Sequence, residues 1–195
     1  MKKPGKNNFL DIKLESHPKN VTVDWLQELE KSGKFAVQGI YKSPTIEGVI
    51  LKELNVLVDG RGDVIELWSR PWVEKEGFVV PEHCYQSATD FGVTKCWHLH
   101  AIHTDQFTVT RGKLQVLLVD IREKSPTFGH VNSVFLGTQK PRLLKIPPGI
   151  MHGWKALTRP EVIVVNFQSH VYLAEDEFKY PWNCVLEHAW EPNNG

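Results

Sequence analysis

Three histidines fall within six residues of the segment KCWHLHAIHTDQF, Lys95 to Phe107. At neutral pH an imidazole can accept a proton, donate a hydrogen bond or ligate a metal. Side chains alternate faces in an extended segment, so His98 and His100 share one face, while Trp97 and Leu99 point the other way into apolar packing. Taken singly, a histidine on a sheet face is more often hydrogen-bonded or solvated than coordinated. A side-by-side pair is more specific. His103 falls beyond this strand, next to Thr104 and Asp105, and His103 and Asp105 read most simply as turn residues. Gln106 opens the next run, QFTVTRG. Farther on, IPPGIMHGW supplies His152 behind a Pro-Pro-Gly turn.

These side chains need a rigid support, and the chain supplies β-strands. From Ile46 onward, short β-rich runs recur between Gly, Pro and Asp: GVILKELNVLV, DVIELW, QFTVTRG, KLQVLLVDI, VNSVFLG, PRLLKIP and EVIVVNFQ. Many short strands with turns between them predict an all-β antiparallel sandwich or barrel, here a jelly roll. One helix precedes it. TVDWLQELEKSGK has Thr22 as N-cap, Asp24 in the first turn and Gly33 as stop, with a partial apolar stripe that fits packing on the surface of the core. The expected division is an N-terminal extension with one helix, residues 1–45, and a β domain, residues 46–195.

The chain's 195 residues suffice for one domain with a proper core. Formal net charge is zero, so nothing steers the protein to nucleic acid or to an anionic membrane. The basic start, MKKPGK, has no apolar stretch behind it that would make it a secretory signal, and no apolar run approaches a membrane span. Three scattered cysteines, Cys84, Cys96 and Cys184, argue against a disulfide framework and fit a reducing cytoplasm.

Residues 92–112 also resemble the first cupin signature: Gly92, His98, His100, Gln106 and Gly112 follow in its order. Pro147, Gly149 and His152 fit the second. This resemblance implies a site of His98, His100, Gln106 and His152 for Zn, Fe, Ni or Mn, with Gln106 in place of the usual glutamate.

A wider resemblance runs from about Ile46 to Trp182. The chain resembles the dTDP-4-dehydrorhamnose 3,5-epimerase family of cupin-fold sugar-nucleotide enzymes. Asp59, Arg61, Gly62 and Glu66 match its D-x-R-G-x-x-x-E element. GVTKCWHLH is similar to the segment around its catalytic histidine, which would be His98. RGKLQVLLVDIREKSPTFG and LLKIPPGIMHGWKAL match further runs, and PWN echoes its W-N. The resemblance implies a cupin jelly roll (double-stranded β-helix), a homodimer, a nucleotide-sugar substrate and no required cofactor. The reaction it implies is proton removal beside a keto group on a nucleotide-linked deoxysugar, then reprotonation on the other face. His98 would be the base. Lys95 stands for the family's arginine, and strict alternation sets it opposite His98 unless a bulge turns it. His152 would hold the sugar or complete a metal site. Arg61 and Glu66 would grip the nucleotide, with Tyr85 or Trp68 stacking on the base. Thymidine and uridine diphosphate sugars both fit.

The family's machinery is incompletely matched. Its enolate-stabilising lysine falls near Asp105, and its acid tyrosine falls at Asn166, with Tyr172 the nearest tyrosine downstream. Its histidine-orienting carboxylate lies beyond the W-N, where this chain soon ends. A divalent cation could replace the missing lysine. The competing readings are a metal cupin of another class, a dioxygenase or small-molecule isomerase, and a sugar-nucleotide binder without turnover. Trp97 and Trp154 are the tryptophans expected near the pocket.

Overall fold

A computed structural model describes residues 21–37 and 45–191. The basic start and the last residues of the tail lie outside these. The helix α1, Val23–Lys31, begins where expected: the Thr22 hydroxyl accepts from the Trp25 N–H, and Gly33 follows with φ of 70°. Among the described residues thirteen strands follow in chain order: β1 Ala36–Val37, β2 Ile50–Glu53, β3 Val56–Asp59, β4 Gly62–Ile65, β5 His83–Asp90, β6 Thr94–Leu99, β7 Asp105–Arg111, β8 Lys113–Asp120, β9 His130–Gly137, β10 Arg142–Ile146, β11 Ile150–Ala156, β12 Glu161–Gln168 and β13 Phe178–Lys179. A short helix, α2, Pro71–Glu76, intervenes between β4 and β5.

Two sheets face each other. One runs β1-β9-β8-β11-β6-β13 and the other β2-β10-β7-β12-β5, with β3 and β4 forming a separate hairpin. Among the described residues all strand pairings are antiparallel except β1 with β9. This is the expected all-β jelly roll. Alternation explains its layers. On β8, Leu114, Val116 and Leu118 point between the sheets, where they meet Phe107, Leu144, Val162 and Trp154. Leu117 and Val119 point outward and meet Trp97, Leu99 and Met151 beneath Leu26 of α1 and Trp190. The first sheet is thus buried on both faces, and α1 covers part of its outer one. Trp97 belongs to this outer layer and not to the pocket.

The apolar filling between the sheets occupies one end of the sandwich. At the other end the inward positions of β5, β6, β7, β11 and β12 become polar, and a cavity of about 340 Å³ opens.

Candidate functional site

The cavity is walled by His98 and His100 from the end of β6, Asp105 from the start of β7, and His152 and Trp154 from β11. Tyr85 and Asn166 come from the neighbouring strands β5 and β12, and Tyr172 and Glu177 from the segment after β12. Its volume suits a small ligand that brings a few precise polar contacts. A larger hollow of about 780 Å³ lies between Phe91, Phe135 and Leu157. There Lys155 is spent on the Trp190 carbonyl, and the two tight His and Asp groups found among the described residues lie elsewhere.

β6 delivers its residues through a bulge. His98 pairs with His152 and Lys95 with Trp154, so three steps on β6 match two on β11. The extra residue turns Lys95 onto the face of His98. Lys95 lies outside the cavity lining, however: its Nζ donates to Ser87 Oγ at 3.0 Å and to the Ala88 carbonyl at 2.7 Å. Gly153 makes the bulge possible, because a Cβ there would run into the Cys96 side chain. Trp154 does face the pocket, stacked on His98 with ring centroids 6.3 Å apart.

Asp105 is the centre of the arrangement. It is fully buried, not a turn residue. Its Oδ2 lies 3.4 Å from His100 Nε2 and 3.3 Å from His152 Nε2. Its Oδ1 accepts from Asn166 at 2.7 Å and Gln168 at 3.0 Å. Burial alone would raise this carboxyl's pKa, but the His152, His100 and Asn166 contacts outweigh it and hold it well below the usual carboxylate range.

Gln106 does not join the histidines, which corrects the expected ligand set of His98, His100, Gln106 and His152. Its carbonyl accepts from the Val79 N–H at 2.8 Å, and its amide donates to the Val79 and Phe167 carbonyls. Because β7 begins at Asp105, that residue faces the cavity and Gln106 faces away. His98 also stands apart from the tight cluster, which is His100, Asp105 and His152.

His103 is likewise buried and structural rather than exposed in a turn. Its Nδ1 pairs with Asp176, and its Nε2 meets the Val171 carbonyl at 2.9 Å. Burial disfavours its charge, yet Asp176 raises its pKa. Asp176 also accepts from the N–H groups of Ala101, Ile102 and His103, pinning the loop between β6 and β7. Its own carbonyl meets His100 Nδ1 at 2.7 Å. The Pro-Pro-Gly turn joins the same loop, since Gly149 N–H donates to the His100 carbonyl at 2.7 Å.

His98 lines the cavity beside this cluster. Burial first, then the His152 and His100 imidazoles, push its pKa down to about 4, so the ring is neutral at pH 7. Glu177 Oε1 stands 3.8 Å from its Nδ1 and is itself held by Lys179 at 2.9 Å and, through Oε2, by the Tyr172 hydroxyl at 3.0 Å. Tyr85 is paired across the strands with Asn166. Its hydroxyl accepts from the Asn166 amide at 3.0 Å. Burial, reinforced by Asp105, pushes this phenol up to about 12. It therefore keeps its proton.

Arg61 and Glu66 are both exposed and do not line this cavity. Arg61 sits in the β3–β4 turn with its side chain 90% exposed and paired to Asp59. Asp105, Asp176, Glu177 and Gln168 are site residues that spacing along the chain does not reveal. Only Asp105 carried a signal, as the carboxylate next to the expected strand start.

Residues 43–193 match the sequence profile described as dTDP-4-dehydrorhamnose 3,5-epimerase. The chain is 33% identical over 134 residues to the "Probable low-salt glycan biosynthesis epimerase Agl13" of Haloferax volcanii, covering 68% of this chain and 85% of that protein. It is 32% identical over 143 residues to the spore coat polysaccharide biosynthesis protein SpsL of Bacillus subtilis, covering 71% and 91%. The fold superposes on a dTDP sugar isomerase crystal structure from Desulfovibrio desulfuricans with a TM-score of 0.65, 30% identity, and coverage of 70% and 85%. A Legionella pneumophila dTDP-6-deoxy-D-glucose-3,5-epimerase, crystallised with dTDP-4-keto-L-rhamnose, gives a TM-score of 0.65, 26% identity, and coverage of 70% and 74%.

Proposed function

The chain belongs to the dTDP-4-dehydrorhamnose 3,5-epimerase family, and from that premise we propose that it epimerises a nucleotide-linked 4-keto-6-deoxysugar for glycan or polysaccharide synthesis. The observation that carries the reading is the pairing of a neutral, cavity-lining base, His98, with a buried polar cluster of His100, Asp105 and His152 beside it.

A 4-keto group acidifies the hydrogens on C3 and C5. His98, unprotonated at neutral pH, removes one of them. The C–H electron pair moves into the ring and the carbonyl π pair onto oxygen, giving an enolate. That oxygen needs a fixed donor beside it. His100 and His152, gathered around Asp105 where the family has a lysine, are the side chains placed to meet it. Reprotonation from the opposite face inverts the centre. Asn166 occupies the family's acid position but has no acidic proton, so the role passes to Tyr85, whose phenol is held by the Asn166 amide on the adjacent strand. His98 then releases its proton to solvent, and Tyr85 recovers one. Glu177 orients His98 and steadies its charged form during the cycle. The family's reaction calls for no cofactor.

The same reading makes the protein a homodimer. Among the described residues the β3–β4 hairpin pairs with no other strand, and Leu57 and Val58 are 68% and 76% exposed. A second copy would cover them and would bring Arg61 and Glu66, unused in their own cavity, to the nucleotide of its partner. Arginine suits a diphosphate because its planar donors meet phosphate oxygens in pairs. The reaction belongs in the cytoplasm: all three cysteines are free thiols, and no helix among the described residues is long and apolar enough to cross a membrane.

The test is product analysis. Proton NMR of dTDP-4-keto-6-deoxyglucose incubated with the protein should show inversion at C3, C5 or both, and none with His98→Gln. Unchanged sugar with the wild-type protein, and with its uridine counterpart, would refute the reading.

A further inference from the structure

Inversion has a competitor inside the site, because the base that took the proton can return one to the same face. We infer that Asn166 is the positioning residue that decides between the two outcomes: its amide holds the Tyr85 hydroxyl so that the phenol hydrogen points into the cavity across from His98, and this hold sets the share of enolates that leave inverted. The inference rests on the epimerase reading for the use of the hold, not for the hold itself.

The first support is the orientation of the amide, which two neighbours fix independently. The Gln106 backbone N–H donates to Asn166 Oδ1 at 3.1 Å. A backbone N–H can only donate, so the amide oxygen lies on that side. At the other end Asn166 Nδ2 stands 2.7 Å from Asp105 Oδ1. An ionised carboxylate can only accept, so the amide nitrogen lies there. Exchanging oxygen and nitrogen would break both contacts. Nδ2 carries two hydrogens: one goes to Asp105, and the other meets the Tyr85 oxygen at 3.0 Å.

The second support is what remains to the phenol. Its oxygen accepts from Asn166, so its single hydrogen must point elsewhere. Among the described residues the Tyr85 hydroxyl has no second hydrogen-bond partner. Tyr85 and Asn166 both line the cavity, so that hydrogen is left for a bound sugar. The sheets supply the direction. Tyr85 stands on β5 of one sheet and His98 on β6 of the facing one. Acid and base therefore approach a sugar between them from opposite sides, as inversion requires.

The third support is charge. When the enolate carbon takes the phenol hydrogen, the O–H electron pair stays on the Tyr85 oxygen. Burial and then Asp105 oppose the tyrosinate, and the Asn166 hydrogen bond favours it. Water later restores the proton. Without the hold, His98 exchanges its proton with solvent and returns a solvent hydrogen to the original face, which labels the sugar and leaves it uninverted. Gln168 supplies a comparison within the same cluster. Its amide donates to the same Asp105 oxygen at 3.0 Å, yet it makes no hydrogen bond to Tyr85.

The test uses the full chain and dTDP-4-keto-6-deoxyglucose in heavy water, with the ratio of labelled inverted sugar to labelled uninverted sugar read at early conversion. Asn166→Leu should lower that ratio about 10-fold or more, the cost of a hydrogen bond to a charged group. Gln168→Leu, which takes an equivalent amide from Asp105, should slow both products together and leave the ratio as in wild type. An unchanged ratio in Asn166→Leu, or an equal fall in Gln168→Leu, would overturn the inference. The hold is also read without turnover, from the Asn166 side-chain N–H signals of nitrogen-15-labelled protein. Tyr85→Phe should move one of the two and leave the one on Asp105 in place; if neither moves, the hold is refuted. Absence of label with wild type, alongside the expected N–H shift, would uphold the hold and reject the epimerase reading.

Discussion

A histidine buried beside two other imidazoles is cheap to keep neutral and costly to charge. His98 is such a residue, and two predictions follow from its pKa of about 4. Its unfolded value is about 6.5, so between pH 6.5 and 4 the unfolded chain binds a proton that the folded one does not. The stability His98 contributes is therefore full above pH 6.5 and is lost as pH falls to about 4, by about 3 kcal/mol. Urea unfolding at pH 7 and pH 4.5 should show His98→Gln losing less stability on acidification than wild type. The acid limb of kcat should likewise lie below pH 6. Tyr85→Phe separates the two proton transfers. It should still exchange the sugar hydrogen with solvent through His98, yet form inverted product about 10²–10⁴-fold more slowly. At this scale the sequence was legible where alternation applies, as in the shared face of His98 and His100. It misled where the cupin resemblance supplied Gln106 as a ligand: β7 begins at Asp105, so Asp105 faces the cavity and Gln106 faces away.

The strands that carry these side chains are fastened by two devices. One is the β6 bulge against Gly153. Gly153→Ala would push β6 from β11 and separate His98 from His152, costing about 1–3 kcal/mol and most of the activity. The other is Asp176, which holds the loop of His100 and His103 by three backbone N–H groups and an imidazole. Asp176→Ala leaves His103 buried without its partner and should cost about 3–5 kcal/mol, read as a lowered urea midpoint. The strands themselves were readable from their β-branched runs, and α1 from its Thr22 cap and Gly33 stop. β5 and α2 gave weaker signals, because HCYQSATD alternates polar with small residues and α2 has only six. Asp176 and Glu177 were not readable. They sit about 75 positions from the histidines they serve, and only the pairing of β13 with β6 brings them there.

At the scale of the molecule, two sheets divide the labour: one end of their interface is filled with Leu, Val and Phe side chains, and the other is left open for chemistry. The exposed β3–β4 hairpin gives this scale its own prediction. Wild type should elute as a dimer, and Leu57→Asp with Val58→Asp should elute as a monomer with impaired nucleotide binding, because Arg61 would no longer reach a neighbouring cavity. The family was legible from motifs spread along the chain, while the site needed three dimensions: Asp105 reads in sequence as a turn residue, and in space it is the anchor of two histidines.

The most direct measurement is solvent exchange. The protein is incubated with dTDP-4-keto-6-deoxyglucose in heavy water, and deuterium in the sugar is read by mass spectrometry, with His98→Gln alongside. The account predicts deuterium at one or both carbons flanking the ketone, abolished in the variant. Uptake that persists in His98→Gln, or no uptake by wild type with and without added zinc, would contradict it.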